Sequence, residues 1–324
     1  ASVTAAENPP PRLEHGNFTL QLGKDASAEL RDLKGDAVWS LGPPQIVFSD
    51  GSKAVATIEG DVGVTDTELQ YSSSDGTRFE LRLVTEPPAI DFSYQPSETC
   101  ASVQLLNQAL PIGPGEDSYY AVPHRMGIML RADGSTPYSR KFRGYETGSG
   151  YSMAMFGAVQ DGTALLLSWT DPYTNIAVDY STEPTQRLSM GLGMSKSARS
   201  VRLQPLGKGG YVELAKAYRA IVRERGYLVT LAEKAKANPK IEKMFGAADF
   251  KPFAYMQLAP NTRWNESDDR RVSLRFTFEE CAQLAEHFHQ DLAIDKAMLI
   301  LNGWINGGYD NKHPDVLPAA EAIG

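Results

Sequence analysis

Between residues 17 and 205 the chain is punctuated by Asp-Gly pairs, each set against an alternating or apolar run: Asp50-Gly51, Asp75-Gly76, Asp133-Gly134 and Asp161-Gly162. An Asp-Gly pair supplies the positive backbone dihedrals of a tight hairpin turn, and only antiparallel neighbours can be joined so briefly. The runs beside these turns have period two or are wholly apolar. They cover 18–22, 45–48, 68–71, 78–84, 127–131, 153–159, 164–169 and 200–205. No helical period interrupts them. A long succession of short strands without a helix forms a sandwich or a barrel, and its span predicts a large antiparallel β-sandwich over residues 17–208. Residues 1–16, with Pro9-Pro10-Pro11, read as a flexible lead-in.

The period changes after Gly209-Gly210. Val212, Ala215, Tyr218, Arg219 and Val222 recur at threes and fours, and Gly226 follows as a stop. A second short helix is expected over 231–237, ending at Asn238-Pro239, so 209–250 reads as a helical linker. A third pattern begins near Pro252. The run 253–258 is a buried-type strand, 262–271 a polar loop, and Thr277 with Glu280 a capping box that opens a helix through Cys281, Leu284, Ala285, Phe288 and Leu292. The run 296–301 is a second buried strand. Strand, helix, strand in this order predicts a right-handed βαβ unit, here the start of a (β/α)8 barrel over 251–324. A parallel pair must be covered on both faces, so the rest of that barrel is expected in further chain.

Charge and spacing remove several functions. A net charge of −8 without a clustered basic face argues against a nucleic-acid partner, and Lys234, Lys236, Lys240 and Lys243 read as a solvated helix face. No apolar run approaches the roughly 18 residues of a membrane span. Cys100 and Cys281 fall in different predicted domains, and neither has the spacing of a zinc site. There is no G-x-S-x-G, H-E-x-x-H, phosphate loop or dinucleotide fingerprint. The small, polar, Pro-rich beginning reads as a processed N-terminus, which predicts a secreted or periplasmic protein.

Chemistry is expected where barrel strands end, at their C-terminal side. After the second strand comes Asn302-Gly303-Trp304-Ile305-Asn306-Gly307-Gly308-Tyr309-Asp310. An indole face packs on the apolar face of a pyranose, amides and carboxylates bond vicinal hydroxyls, and glycines admit a close backbone approach. Trp304, Asp310, Asn302 and Tyr309 are therefore the candidate sugar contacts. Asp310, Asp315 and Glu321 lie on one loop, whereas hydrolysis of a glycosidic bond needs two carboxyl groups on opposite sides of it. The catalytic pair is thus expected outside this chain. A second cluster, Tyr119-Tyr120-Ala121-Val122-Pro123-His124-Arg125, places His124 and Arg125 as further candidate substrate contacts.

In layout the chain resembles the retaining glycosidases of the α-galactosidase and α-glucosidase superfamily. They share a β-supersandwich, a bridging helix like that of 211–226, and a barrel opening. The stretch Gly303-Trp304, Gly307-Gly308-Tyr309-Asp310, His313-Pro314-Asp315, Leu317-Pro318-Ala319 is most similar to the endo-α-N-acetylgalactosaminidase-like branch, glycoside hydrolase families 101 and 129. The resemblance implies a galactose-mutarotase-like sandwich, a covalent glycosyl–enzyme on an Asp, and a second carboxylic acid as acid/base, both from later strands. It implies a glycan substrate, whether oligosaccharide, polysaccharide or glycoprotein-borne, and no cofactor. Calcium would suit such an enzyme, though no D-x-D-x-D-G run marks a loop for it. Two other readings stand beside this one: a non-catalytic carbohydrate-binding or scaffold protein, and a polysaccharide lyase built around Tyr119, Tyr120, His124 and Arg125.

Overall fold

A computed structural model of the chain describes residues 9–144, 150–194 and 199–324. Its contacts divide it into two compact units, one ending at Leu228 and one beginning at Val229.

The first unit is built from three antiparallel sheets. Arg12–His15, Phe18–Leu22, Ala28–Asp32 and Ala37–Leu41 form a four-stranded sheet in sequence order. Its first strand lies inside the segment expected to be a flexible lead-in. Pairing of Arg12 with Gln21 and of Leu13 with Leu20 carries Leu13 into the core, and that burial orders the segment. The second sheet has nine strands, in the order Ile128–Leu130, Tyr119–Val122, Met155–Gln160, Thr163–Ser168, Ser200–Lys208, Pro88–Gln95, Arg78–Thr85, Glu68–Ser72, Glu59–Val64. The third has six: Tyr138–Arg143, Asn175–Ser181, Arg187–Met194, Cys100–Ile112, Gln45–Phe48, Lys53–Val55.

Three of the Asp-Gly pairs close hairpins as the sequence predicts. They join Val47 to Lys53, Ser72 to Arg78 and Gln160 to Thr163 in register. Asp133-Gly134 does not. Ile128–Leu130 pairs backwards with Tyr119–Val122, and after Gly134 the chain passes to the six-stranded sheet. The Gly134 carbonyl is held there by Tyr180 Oη at 2.5 Å and Gln186 Nε2 at 3.0 Å.

One continuous core joins all three sheets. Phe18 and Trp39 come from the first, Phe79, Phe156 and Leu167 from the second, and Ile46, Leu106 and Met190 from the third. Each such side chain contributes roughly 1.5–3 kcal/mol by leaving water. The corner between the first two sheets is fastened by a buried carboxylate. Asp32 Oδ1 accepts from Lys34 N at 2.8 Å and Gly35 N at 2.9 Å, and Oδ2 accepts from Gly207 N at 2.8 Å. Beside it, Thr163 Oγ1 donates to the Gly35 carbonyl at 2.8 Å.

Met155–Gln160 and Thr163–Ser168 are buried on both faces, because a helix covers their outer side. Helix α1, Tyr211–Glu224, lays Leu214 and Ile221 on Met155, Val159, Ala164 and Leu166. Gly157 leaves the space that Leu214 fills, since a Cβ there would strike the leucine. Tyr119 Oη accepts from Tyr211 N at 3.0 Å, and Tyr218 Oη accepts from Ala154 N at 3.1 Å. The segment expected to open a linker is thus a packed layer of the first unit.

The second unit begins with α2, Leu231–Ala237, and a 3-10 turn over Pro239–Met244. Its parallel pair is Ala248–Phe250 with Ala297–Leu299, carried on by a parallel bridge between Phe253 and Asn302. The sequence reading put the first of these strands at 253–258 and left 248–250 in a connector. Pro252 has no N–H to donate, so the strand divides there. Its second part, Tyr255–Leu258, pairs antiparallel with Arg271–Leu274, which closes the expected polar loop into a hairpin. Helix α3, Phe278–Gln290, stacks Phe288 on Phe250 at 3.8 Å between ring centroids. It opens on the expected capping box: Thr277 Oγ1 accepts from Glu280 N at 3.1 Å, and Glu280 Oε2 accepts from Thr277 N at 2.8 Å. Thr277→Ala is expected to lower the stability of the second unit by about 1 kcal/mol, read as an earlier urea transition of helical circular dichroism.

Cys100 is buried in the six-stranded sheet and Cys281 in α3, one in each unit. Burial pushes the Cys281 thiol up from its ordinary value, and neighbouring Glu280 adds to the shift. No helix among the described residues is long and apolar enough to cross a membrane.

Candidate functional site

The Asn302–Asp310 segment leaves the parallel pair at its C-terminal end and folds back on Tyr255. Asn302 is the last paired residue: its N–H donates to Pro252 O at 2.9 Å and its carbonyl accepts from Ala254 N at 2.7 Å. Its side-chain Nδ2 donates to Ile300 O at 3.4 Å. Gly303 follows with φ +74° in direct apposition to the Tyr255 backbone, where a Cβ would collide with the Tyr255 carbonyl. Gly308, φ +88°, lies over the Tyr255 ring and carbonyl in the same way. These two positions need glycine both for the dihedral and for the approach. The next residue completes the docking, as Tyr309 N donates to Tyr255 O at 3.0 Å.

Trp304 is half-buried. Its indole packs on the small core of Ala254, Tyr255, Ala320 and Ile323, and its carbonyl accepts from Ala320 N at 3.0 Å. The ring is therefore fixed from below and partly open above. Tyr309 is 43% exposed and leans on Phe253 at 4.9 Å between centroids. Asp310, φ +53°, is exposed, with its Oδ1 4.0 Å from His313 Nε2. The loop is pinned at two further places: Asn306 N donates to Val316 O at 3.1 Å, and Asn311 Nδ2 donates to Gly307 O at 3.1 Å. A fixed indole edge, an exposed phenol, an exposed carboxylate and a half-buried amide on one short segment can recognise a polyol: apolar contact on one side, hydrogen bonds on the other. Asn302, Trp304, Tyr309 and Asp310 share this segment, each with its own partners: the Ile300 carbonyl, the Ala254–Ile323 core, the Phe253 ring and His313.

His124 and Arg125 lie in the first unit, in the turn after Tyr119–Val122. His124 Nδ1 is 2.8 Å from the Gly150 carbonyl, its ring leans on Phe142 at 5.6 Å, and its backbone bridges to Tyr151. The imidazole is thus engaged in holding its own turn. Arg125 has φ +54° and is exposed. Tyr119 and Tyr120, the other members of that cluster, point away from solvent. Tyr119 anchors α1, and Tyr120 Oη donates to Leu110 O at 2.5 Å in the core, where burial pushes its phenol well above the ordinary value.

The sequence reading expected the polar loop after Leu258 but not the aromatic that it presents. The loop exposes Trp264 with Arg263 stacked on its ring, 4.3 Å from the guanidinium carbon to the centroid. An aromatic in a charged loop after a buried strand is the signal that could have found it.

The fold is shared with a solved glycosidase. The ligand-free α-N-acetylgalactosaminidase NagBb from Bifidobacterium bifidum superposes with a TM-score of 0.79 at 22% identity, over 97% of this chain and 55% of that one. Its GalNAc complex superposes with a TM-score of 0.76 at 21% identity, over 97% of this chain and 54% of that one. At this identity the likeness is one of fold, and the chain spans about half the length of the structure it matches. No family model matches the chain, and no curated protein matches it.

Proposed function

We propose that this chain is the front portion of a glycoside hydrolase acting on α-linked glycans, with α-N-acetylgalactosaminides as the first substrate to try. The observation that carries the reading is the superposition over 97% of the chain on an α-N-acetylgalactosaminidase, together with an aromatic and acidic loop at the C-terminal end of the parallel pair. On this reading the parallel pair and α3 are the opening of a (β/α)8 barrel, and the first unit is its mutarotase-like companion. Trp304, Tyr309, Asn302 and Asp310 hold the sugar, while a nucleophilic Asp and an acid/base carboxyl follow in later strands and act with retention of configuration.

The test is a screen of the full-length gene product on aryl α-glycosides. Hydrolysis of the N-acetylgalactosaminide, with the α-anomer released first by NMR, is the expected result. Asp310→Ala should leave folding intact, because the side chain is 72% exposed. It should also weaken substrate binding about tenfold or more, the size of a lost charged hydrogen bond. A full-length protein that cleaves no α-glycoside and binds none would overturn the reading.

A further inference from the structure

Three positions of the 302–310 segment meet on one residue outside it. Gly303 lies against the backbone of Tyr255, and Tyr309 N donates to the Tyr255 carbonyl at 3.0 Å. Gly308 lies against the ring, where an added Cβ would come within 2.5 Å of Tyr255 Cδ1 and 3.1 Å of Cε1. Trp304 packs on the small core that Tyr255 shares with Ala254, Ala320 and Ile323. Any residue at 255 could supply the backbone contacts. The ring contact is particular to the side chain, and it lies under the turn that carries Tyr309 and Asp310.

The ring is itself held. Tyr255 is 8% exposed. Side chains alternate along a strand, so Tyr255 and Gln257 share one face of Tyr255–Leu258. Gln257 Nε2 donates to Tyr255 Oη at 3.2 Å, and Arg270 Nη1, from just before the partner strand, donates to Gln257 Oε1 at 3.3 Å. The guanidinium takes the amide oxygen, which turns the amide nitrogen to the phenol.

Recognition of a sugar couples stacking on its apolar face to hydrogen bonds with its hydroxyls, so the indole of Trp304 and the carboxylate of Asp310 must keep a fixed spacing. A hydrogen bond of about 2.8 Å is lost on a displacement of about 1 Å. Tyr255 bears on both ends of that spacing, through the core beneath Trp304 and the turn before Asp310. A smaller side chain at 255 keeps the backbone anchors but leaves a gap under Gly308, into which the turn can tilt.

We propose that Tyr255 is a positioning residue for sugar recognition, fixed in turn by Gln257: its ring sets the spacing of Trp304 and Asp310 without touching the sugar. This rests on the glycan reading of the Trp304 loop, and the experiment separates the two. Amide hydrogen exchange of the 302–310 segment and calorimetric binding of methyl N-acetyl-α-galactosaminide are measured on the full chain for the wild type, Tyr255→Leu, Tyr255→Phe and Gln257→Met. Tyr255→Leu should speed exchange of the Tyr309 amide about tenfold and weaken binding about tenfold, while the amides of α3 stay as protected as in the wild type. Tyr255→Phe and Gln257→Met keep the ring and lose one hydrogen bond, so each should cost only about threefold in both readouts. A Tyr255→Leu protein that exchanges at Tyr309 as the wild type does, or whose loop loosens while binding holds, overturns the proposal. So does loss of protection in α3 together with the loop, if Tyr255→Phe and Gln257→Met match the wild type, because the role is then one of stability alone. A wild type that binds no sugar overturns the glycan reading instead, and the exchange rates still decide whether Tyr255 fixes the loop.

Discussion

Asp32→Ala is expected to destabilise the first unit by about 4 kcal/mol. The carboxylate is 1% exposed and receives three backbone N–H groups, two from its own turn and one from Gly207 in the neighbouring sheet. Alanine leaves those donors in a dry corner without acceptors. Each stranded group costs about 1–3 kcal/mol, and bonds to a charged acceptor stand at the upper end of the scale. Asp32→Asn is the informative companion. It keeps one carbonyl oxygen for the turn and offers an NH2 group where Gly207 N needs an acceptor, so it should lose about half as much. Urea unfolding, followed through the buried Trp39 and Trp169, reads both. A loss under 1 kcal/mol for the alanine would mean that water reaches the corner, and that the two sheets are held by apolar packing alone.

The second large effect is expected at Gly303. A methyl group there meets the Tyr255 carbonyl and backbone nitrogen, and φ +74° is already costly for any L side chain. Gly303→Ala should therefore lift the whole 302–310 segment off Tyr255. About 3 kcal/mol of second-unit stability should go with it, combining left-handed strain with a forced backbone shift. On the proposed glycan reading, the expected readout is loss of glycan binding with the first unit's unfolding transition unchanged. Retained binding would show that the segment recognises sugar without being docked, and the argument from rigidity would fail.

The parts of the fold legible in the sequence are those where one local rule acts alone. An Asp-Gly pair between alternating strands closes a hairpin wherever both strands stay in one sheet, as at Asp75 and Asp161. It fails at Asp133, because the next strand leaves for the other sheet, and nothing local encodes that departure. Cys100–Ile112, the longest strand, gave no alternation to read. Its register with Arg187–Met194 shifts three times, and Gln108 and Leu110 take positive φ, so its side chains change face along the way. The division of the strand at Pro252 follows from the missing N–H, yet its consequence, a hairpin of Tyr255–Leu258 with Arg271–Leu274, depends on a partner that is short and charged at its start. For the candidate site, composition pointed to the Trp304 loop but not to what holds it. Tyr255, the residue that the loop rests on, is an unremarked member of an apolar run. Trp264 was passed over because its neighbours Arg263, Glu266, Asp268 and Asp269 made the segment read as plain solvent-facing loop.

The sheets of the first unit end at Lys208, and a boundary drawn by strands alone would fall there. Helix α1 moves it. Severed at 208, the nine-stranded sheet would bare Val159, Ala164 and Leu166 along its outer face, a sticky strip on an otherwise finished body. What can be cut out, fused elsewhere or exchanged between genes as one heritable block is therefore the sandwich with its helix, through Leu228. Any shuffled descendant should carry residues 209–228 with the strands, whatever comes to follow them.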